Sequence, residues 1–187
     1  MNKQAKKKVP VISGSGPPSL AMPIRVKPYR HQQAAFDFVC KVFGLMDGKK
    51  CSPGSALLME MGTGKTLVAI ATACILHQFG LAERVLVVAP FSLLGMWESE
   101  LEKFAGVPVN VTVVRGTPEK KKRLIKEAAS ERLDIVIVNY ESAWRLEKEL
   151  LAYDADLIIA DEAQAGAPAG SAWSADRTGF GRICDIL

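Results

Sequence analysis

Histidine is scarce in this 187-residue chain, with only His31 and His77, and the four cysteines (Cys40, Cys51, Cys74, Cys184) form no C-x-x-C pair. That spacing excludes a Cys/His metal quartet and a disulfide framework, and the thiols read as reduced and cytosolic, which places the expected location in the cytoplasm, nucleoid association included. Long apolar runs are missing too. The stretch Val68 to Leu76 and the Pro-interrupted run Val85 to Trp97 are too short to span a bilayer, so no membrane partner is expected. Lys6-Lys7-Lys8 is followed by Pro, Gly and Ser rather than an apolar segment, so no signal peptide is read. Acidic residues are absent from the first 36 positions, which carry Lys3, Lys6, Lys7, Lys8, Arg25, Lys27 and Arg30. Such an arm suits either a polyanion or a disordered solubilising leader, and both readings stay open.

What is present is a composition for one packed domain, 49% hydrophobic and 24% charged. Its most informative segment is Ala56-Leu-Leu-Met-Glu-Met-Gly-Thr-Gly-Lys-Thr66. A buried strand over Ala56 to Met59 would feed a loop, Met61-Gly62-Thr63-Gly64, in which the glycines let backbone N–H groups turn toward phosphates. A helix from Thr66 to Phe79 then aims its positive end at the same point. Lys65 would supply charge to the β- and γ-phosphates and Thr66 a hydroxyl ligand to Mg²⁺, so ATP and Mg²⁺ are the expected cofactors. The strict G-x-x-x-x-G-K-[ST] rule is relaxed at its first position, where Met59 stands.

Onward from Tyr29 the pattern alternates helix and strand. Helices are expected over His31 to Phe43, Thr66 to Phe79, Ser92 to Phe104, Pro118 to Ser130 and Ser142 to Leu151. Strands are expected over Ala56 to Met59, Arg84 to Ala89, Val109 to Val114, Asp134 to Val138 and Leu157 to Ala160. Strands such as Ile-Val-Ile-Val are continuously apolar, as when helices cover both faces of a parallel sheet. Pro118 after Thr117, and the Ser92 hydroxyl, are read as helix starts. The order predicts an α/β, P-loop NTPase fold: a doubly wound, mainly parallel RecA-like sheet. Trp97, at helical spacing with Leu93, Leu94 and Leu101, reads as core, and the run Lys120 to Arg123 with Lys126 as a solvated face.

A second chemical element, Asp156-Leu-Ile-Ile-Ala-Asp-Glu-Ala-Gln164, puts Asp161 and Glu162 at the carboxyl end of an apolar strand, where ligands bind in open α/β sheets. Asp161 would hold Mg²⁺ through its water shell while Glu162 polarises the water attacking the γ-phosphorus. The loop Pro90-Phe91-Ser92, opening a helix, and the loop Asn139-Tyr140-Glu141 would share one rim, and the helix N–H groups with the Ser92 hydroxyl could hold a nucleic-acid phosphate.

Together Met61-Gly-Thr-Gly-Lys-Thr66, the block from Ala89 to Phe104 (with Pro-x-Ser-Leu-Leu-x-x-Trp-x-x-Glu-x-x-Lys-Phe), Ile137-Val-Asn-Tyr-Glu141 and Asp161-Glu-Ala-Gln164 resemble the first motor lobe of superfamily two helicases, in their Swi/Snf-like DNA translocase branch. Many such ATPases relax the position held by Met59. The resemblance covers about Val26 to Gln164. It implies catalytic roles for Lys65, Asp161, Glu162 and Gln164, adenine reading by Gln32 in Tyr29-Arg-His-Gln-Gln-Ala-Ala-Phe36, and backbone contact to double-stranded DNA, independent of sequence, from Pro90, Ser92, Asn139 and Tyr140. Gln164 stands where the RNA-dedicated branch ends its motif with Asp. A further strand and a second lobe with arginine fingers are expected after Gln164; instead residues 165–175 are all Ala, Gly, Pro or Ser except Trp173. The expected division is a basic leader (1–24), a single incomplete ATP-binding lobe (25–164), and an aberrant or disordered tail (165–187), truncated, frameshifted, engineered or naturally divergent. Two functions follow: the ATP-binding lobe of a DNA-dependent ATPase, or an inactive nucleotide- or DNA-binding fragment.

Overall fold

The computed structural model describes residues 11–12, 19–46, 52, 54–128, 132–162 and 182–186, with residues 11–12 and 182–186 described in backbone only. A short antiparallel pair, β1 (Val11–Ile12) and β2 (Ser19–Leu20), precedes α1 (Arg30–Val42). There follow β3 (Gly54–Leu57), α2 (Lys65–Gln78), β4 (Arg84–Ala89), a 3₁₀ turn (Phe91–Leu93) and α3 (Leu94–Phe104). Then come β5 (Val109–Val113), α4 (Pro118–Glu127), β6 (Leu133–Asn139), α5 (Tyr140–Arg145), α6 (Glu147–Tyr153), β7 (Leu157–Asp161) and β8 (Arg182–Ile186).

Six strands form one parallel sheet in the order β3-β8-β7-β4-β6-β5. Strand alternation sorts its side chains between two cores. Val85, Val87 and Ala89 of β4 join Ile135 and Ile137 of β6 in packing against α1, α2 and α3. Leu86 and Val88, with Val136, Val138 and Ile158, pack against α4 and α6 through Ile125 and Leu150, and against Leu146 between α5 and α6. Both faces are covered, which is why the central strands are apolar throughout. Helix α2 is buried on all sides from Leu67 to Leu76, so the loop preceding it starts from a fixed element. This is the expected α/β, RecA-like architecture. Among the described residues no helix is long and apolar enough to cross a membrane.

The structure departs from expectation at several points. The Ala-, Gly-, Pro- and Ser-rich composition of residues 165–175 stands in place of the strand that the resemblance implies after Gln164. In the fold β8 fills that place, pairing Ile183 with Ile158 on one side and with Gly54 on the other. It is the neighbour through which β3 joins the sheet. Residues 163–181, including Gln164 and the Ala/Gly-rich stretch, lie outside the described residues. At the other end, packing begins before residue 25: Leu20 and Met22 are buried in the first core, and Ile24 bridges to Ala105. Residues 1–10 and 13–18 lie outside the described residues.

Ser92 does not cap α3. Leu93 N–H bonds to the Pro90 carbonyl at 2.9 Å, closing a 3₁₀ turn, and α3 begins after it with no side-chain cap. The helix expected over Ser142 to Leu151 is two helices, broken at Leu146 (φ −111°, ψ 23°). Thr117 does cap α4: its hydroxyl oxygen accepts the Lys120 N–H at 3.3 Å, with Pro118 at the first helical position. On α4, Lys120, Lys122, Arg123 and Lys126 are exposed, with Lys122 paired to Glu149 at 3.0 Å, whereas Lys121 is half-buried and donates to the Ser142 hydroxyl at 2.7 Å.

Candidate nucleotide-binding cleft

Parallel strands carry their carboxyl ends to one edge, and here that edge holds the candidate residues of the glycine loop and the acidic pair. The loop leaving β3 turns at Gly62 (φ 77°) and Gly64 (φ 87°), conformations that L side chains rarely adopt. Thr63 closes the turn, donating its hydroxyl to the Glu60 carbonyl at 2.6 Å. Lys65 folds back across the loop and donates from Nζ to the Met59 carbonyl at 2.7 Å. Its ammonium therefore sits within the loop, where a phosphate oxygen would offer a stronger, charged acceptor. Thr66 follows in the first turn of α2.

Gln32 ties α1 to this loop. Its Nε2 donates to the Thr63 carbonyl at 3.0 Å, and its Oε1 accepts the Tyr29 N–H at 2.9 Å. His31 Nε2 lies 3.0 Å from the same Thr63 carbonyl, and its ring stacks on Tyr29 at 5.8 Å. Gln32 is 6% exposed, and these two bonds show it holding the loop in place at the edge of the cleft.

Across the cleft, β7 ends in Asp161, itself 6% exposed. One carboxylate oxygen, Oδ2, accepts the Trp97 indole N–H at 2.8 Å, and the Asp161 main-chain carbonyl accepts the Tyr140 hydroxyl at 2.8 Å. Burial pushes the Asp161 carboxyl above the ordinary carboxylate range; the Trp97 bond opposes this, Glu162 adds to it, and Lys65 opposes it. Glu162 has φ 51°, uncommon for a non-glycine residue, and this left-handed step turns the chain out of the strand at the cleft wall. Helix α3 adds Glu100, whose carboxyl is also raised, chiefly by burial, with Lys103 opposing and Asp161 reinforcing.

The cleft so formed measures about 1270 Å³, ample for a nucleoside triphosphate. Gln32, Met61, Gly62, Gly64, Lys65, Thr66, Asp161 and Glu162 of the expected site line it. Val26, Tyr29, Leu93, Met96 and Phe104 form an apolar wall that sequence reading missed. Pro90, Ser92, Asn139 and Tyr140 do not line the cleft. They lie beside it on one rim, because Ala89 and Asn139 are partners in the β4–β6 register. Also missed were Glu100 and the bond from Trp97 to Asp161. The signal was there: a buried indole needs a partner for its N–H.

Thr66 and Asp161 are hard oxygen donors of the kind Mg²⁺ takes. Among the described residues no three of His, Cys, Asp and Glu converge as a metal cage. One or two protein oxygens plus substrate phosphates is the usual Mg²⁺ arrangement at a phosphate loop, and these residues fit it.

Fold and loop place the chain in the class of P-loop, RecA-like α/β proteins. A model of the SNF2-related domain matches residues 6–174. The chain belongs to the SNF2-related domain family. Curated relatives include the Arabidopsis thaliana ISWI chromatin-remodeling complex ATPase CHR17, 34% identical over 106 residues, covering 56% of this chain and 10% of that protein. The Gallus gallus DNA repair and recombination protein RAD54B is 26% identical over 160 residues, covering 82% of this chain and 17% of that protein. The chain thus spans only about a tenth to a sixth of these relatives' length. Among solved structures, the Sulfolobus solfataricus SWI2/SNF2 ATPase core in complex with dsDNA superposes with TM-score 0.65 at 22% identity, over 88% of this chain and 32% of that one. That likeness supports the fold.

Proposed function

We propose that this chain is the ATP-binding lobe of a DNA-dependent ATPase, binding Mg–ATP in the cleft and the backbone of double-stranded DNA on the adjoining rim. The observation that carries this is the convergence of the glycine loop, Lys65 and Thr66 with Asp161 and Glu162 on one cleft. Loop N–H groups and Lys65 would hold the β- and γ-phosphates, with the apolar wall and Gln32 on the side of the base. Thr66 and Asp161 would hold Mg²⁺, which neutralises charge developing on the phosphate oxygens. Glu162 would orient the attacking water and accept its proton as the water oxygen bonds to the γ-phosphorus and the bond to the β-phosphate bridging oxygen breaks.

Pro90, Ser92, Asn139 and Tyr140 are the proposed DNA contacts; Phe91 and Ser92 are exposed beside Ala89 and Asn139. The relatives named for DNA repair and for an ATPase core bound to dsDNA support that partner. Gln164 belongs to the same proposed catalytic set.

A second reading, a binding lobe with little turnover of its own, is favoured by the cleft's charge. Among the described residues lining it the cations are Lys27 and Lys65, with no arginine. An arginine finger in P-loop enzymes is worth roughly 10³ to 10⁵ in rate. Arg182 starts β8 opposite Leu157, four positions before the pair Asp161 and Ile186 at the cleft end. ATP hydrolysis by the chain, measured with and without duplex DNA and RNA, tests both. Stimulation by duplex DNA alone supports the first reading, and unstimulated background turnover with intact ATP binding supports the second. Absence of ATP binding overturns both.

A further inference from the structure

Trp97 is fully buried, and packing alone accounts for its rings. It does not account for its N–H, which is directed at the Asp161 carboxylate at 2.8 Å. Tyr140 repeats the pattern from another element, its hydroxyl donating to the Asp161 main-chain carbonyl at 2.8 Å. The two donors arise where the rim loops become helices. Trp97 lies on α3, which follows the Phe91–Leu93 turn, and Tyr140 is the first residue of α5, directly after β6. Register holds these parts side by side: Val88 pairs with both Ala160 and Val138, one residue before the strands end at Asp161 and Asn139. Asp161 is therefore bonded through its side chain to one rim element and through its backbone to the other.

We propose that Trp97 is a positioning residue for the metal site: it engages one Asp161 oxygen, fixes the carboxylate plane, and leaves the second oxygen to the Mg²⁺ shell. Tyr140 sets the backbone from which that carboxylate projects. The inference rests on the Mg–nucleotide reading above. Partners in this outer position around a metal site affect metal affinity by roughly 10- to 100-fold when removed.

The test is calorimetric binding of ATP to the full 187-residue chain, in EDTA and across a Mg²⁺ titration. Trp97→Phe should keep the metal-free affinity of the wild type and shift the Mg²⁺ midpoint upward by roughly 10-fold or more. Tyr140→Phe should shift it in the same direction by less. In an Asp161→Asn background, Trp97→Phe should add nothing, because its action runs through that carboxylate. If Trp97→Phe fails to melt cooperatively, benzothienylalanine at position 97, which has the indole's shape without its N–H, should give the same midpoint shift. A wild-type midpoint in either variant, or additive losses with Asp161→Asn, overturns the inference while leaving the nucleotide site standing. A wild-type chain whose ATP affinity ignores Mg²⁺ overturns the site reading as well.

Discussion

Gln32 and Gly64 are packed so closely that a β-carbon on Gly64 would collide with the Gln32 side-chain amide. The loop glycine is thus required twice, by its φ of +87° and by this contact. Gly62, at φ +77°, faces open space. Gly64→Ala is expected to cost about 1–3 kcal/mol in strain, to break the Gln32 bond to Thr63, and to abolish most nucleotide affinity. Gly62→Ala should cost only the conformational part, about 1–2 kcal/mol. Denaturant unfolding beside ATP binding checks the order; equal effects at both glycines would contradict it.

The two acids should separate by property. Glu162→Gln keeps shape but removes the proton acceptor, so Mg–ATP should still bind while hydrolysis, measured in the presence of duplex DNA, falls by roughly 10² to 10⁴. Asp161→Asn should instead weaken the Mg²⁺-dependent part of ATP binding. Normal turnover by the Glu162 variant would remove it from the proposed role.

Glu100 gives a pH signature. Its carboxyl is raised above the ordinary 4.5, so between that value and its folded one the folded chain holds more proton than the unfolded. Stability from this group therefore falls as pH rises through that window. Glu100→Gln, which cannot ionise, should gain stability relative to wild type as pH climbs above about 4.5 and show a constant difference below it. Urea unfolding of both proteins as a function of pH measures this, and a difference independent of pH would refute it.

Strand β8 can be tested by proline. An interior strand gives its N–H groups to a neighbour, so Cys184→Pro should remove a ladder bond in the strand that joins β3 to β7, costing at least about 1–3 kcal/mol. Thermal unfolding unchanged by this substitution would contradict the placement of β8.

Legibility in the sequence followed locality. Strand β4 runs over Arg84–Ala89 as its apolar pattern predicts, and α2 starts at Lys65, one residue before the expected Thr66. Both are written in short-range pattern. The break at Leu146 and the 3₁₀ turn before α3 depend on how the chain enters a packed layer, which residue type alone does not carry. β8 was missed because Arg-Ile-Cys-Asp-Ile is a weak strand signal behind a poor-core stretch, and its place is set by two distant partners. The glycine loop and acidic pair were legible because each needs particular residues at fixed spacing. The bonds that orient them, from Gln32, Trp97 and Tyr140, join positions far apart in the chain, and only folding discloses them.

Lys65→Ala takes the charge from the phosphate site together with one loop tie, the bond to the Met59 carbonyl at 2.7 Å, while the Thr63 bond to the Glu60 carbonyl and the Gln32 bond to the Thr63 carbonyl remain to hold the loop. Calorimetric titration of Mg–ATP into the wild-type chain and Lys65→Ala, both shown to melt cooperatively, decides whether the glycine loop is a phosphate site. Wild type should bind, and the variant should lose at least about tenfold in affinity, the order expected for a charged hydrogen bond. Equal affinity in the two proteins, or no binding by wild type, would contradict a phosphate site there.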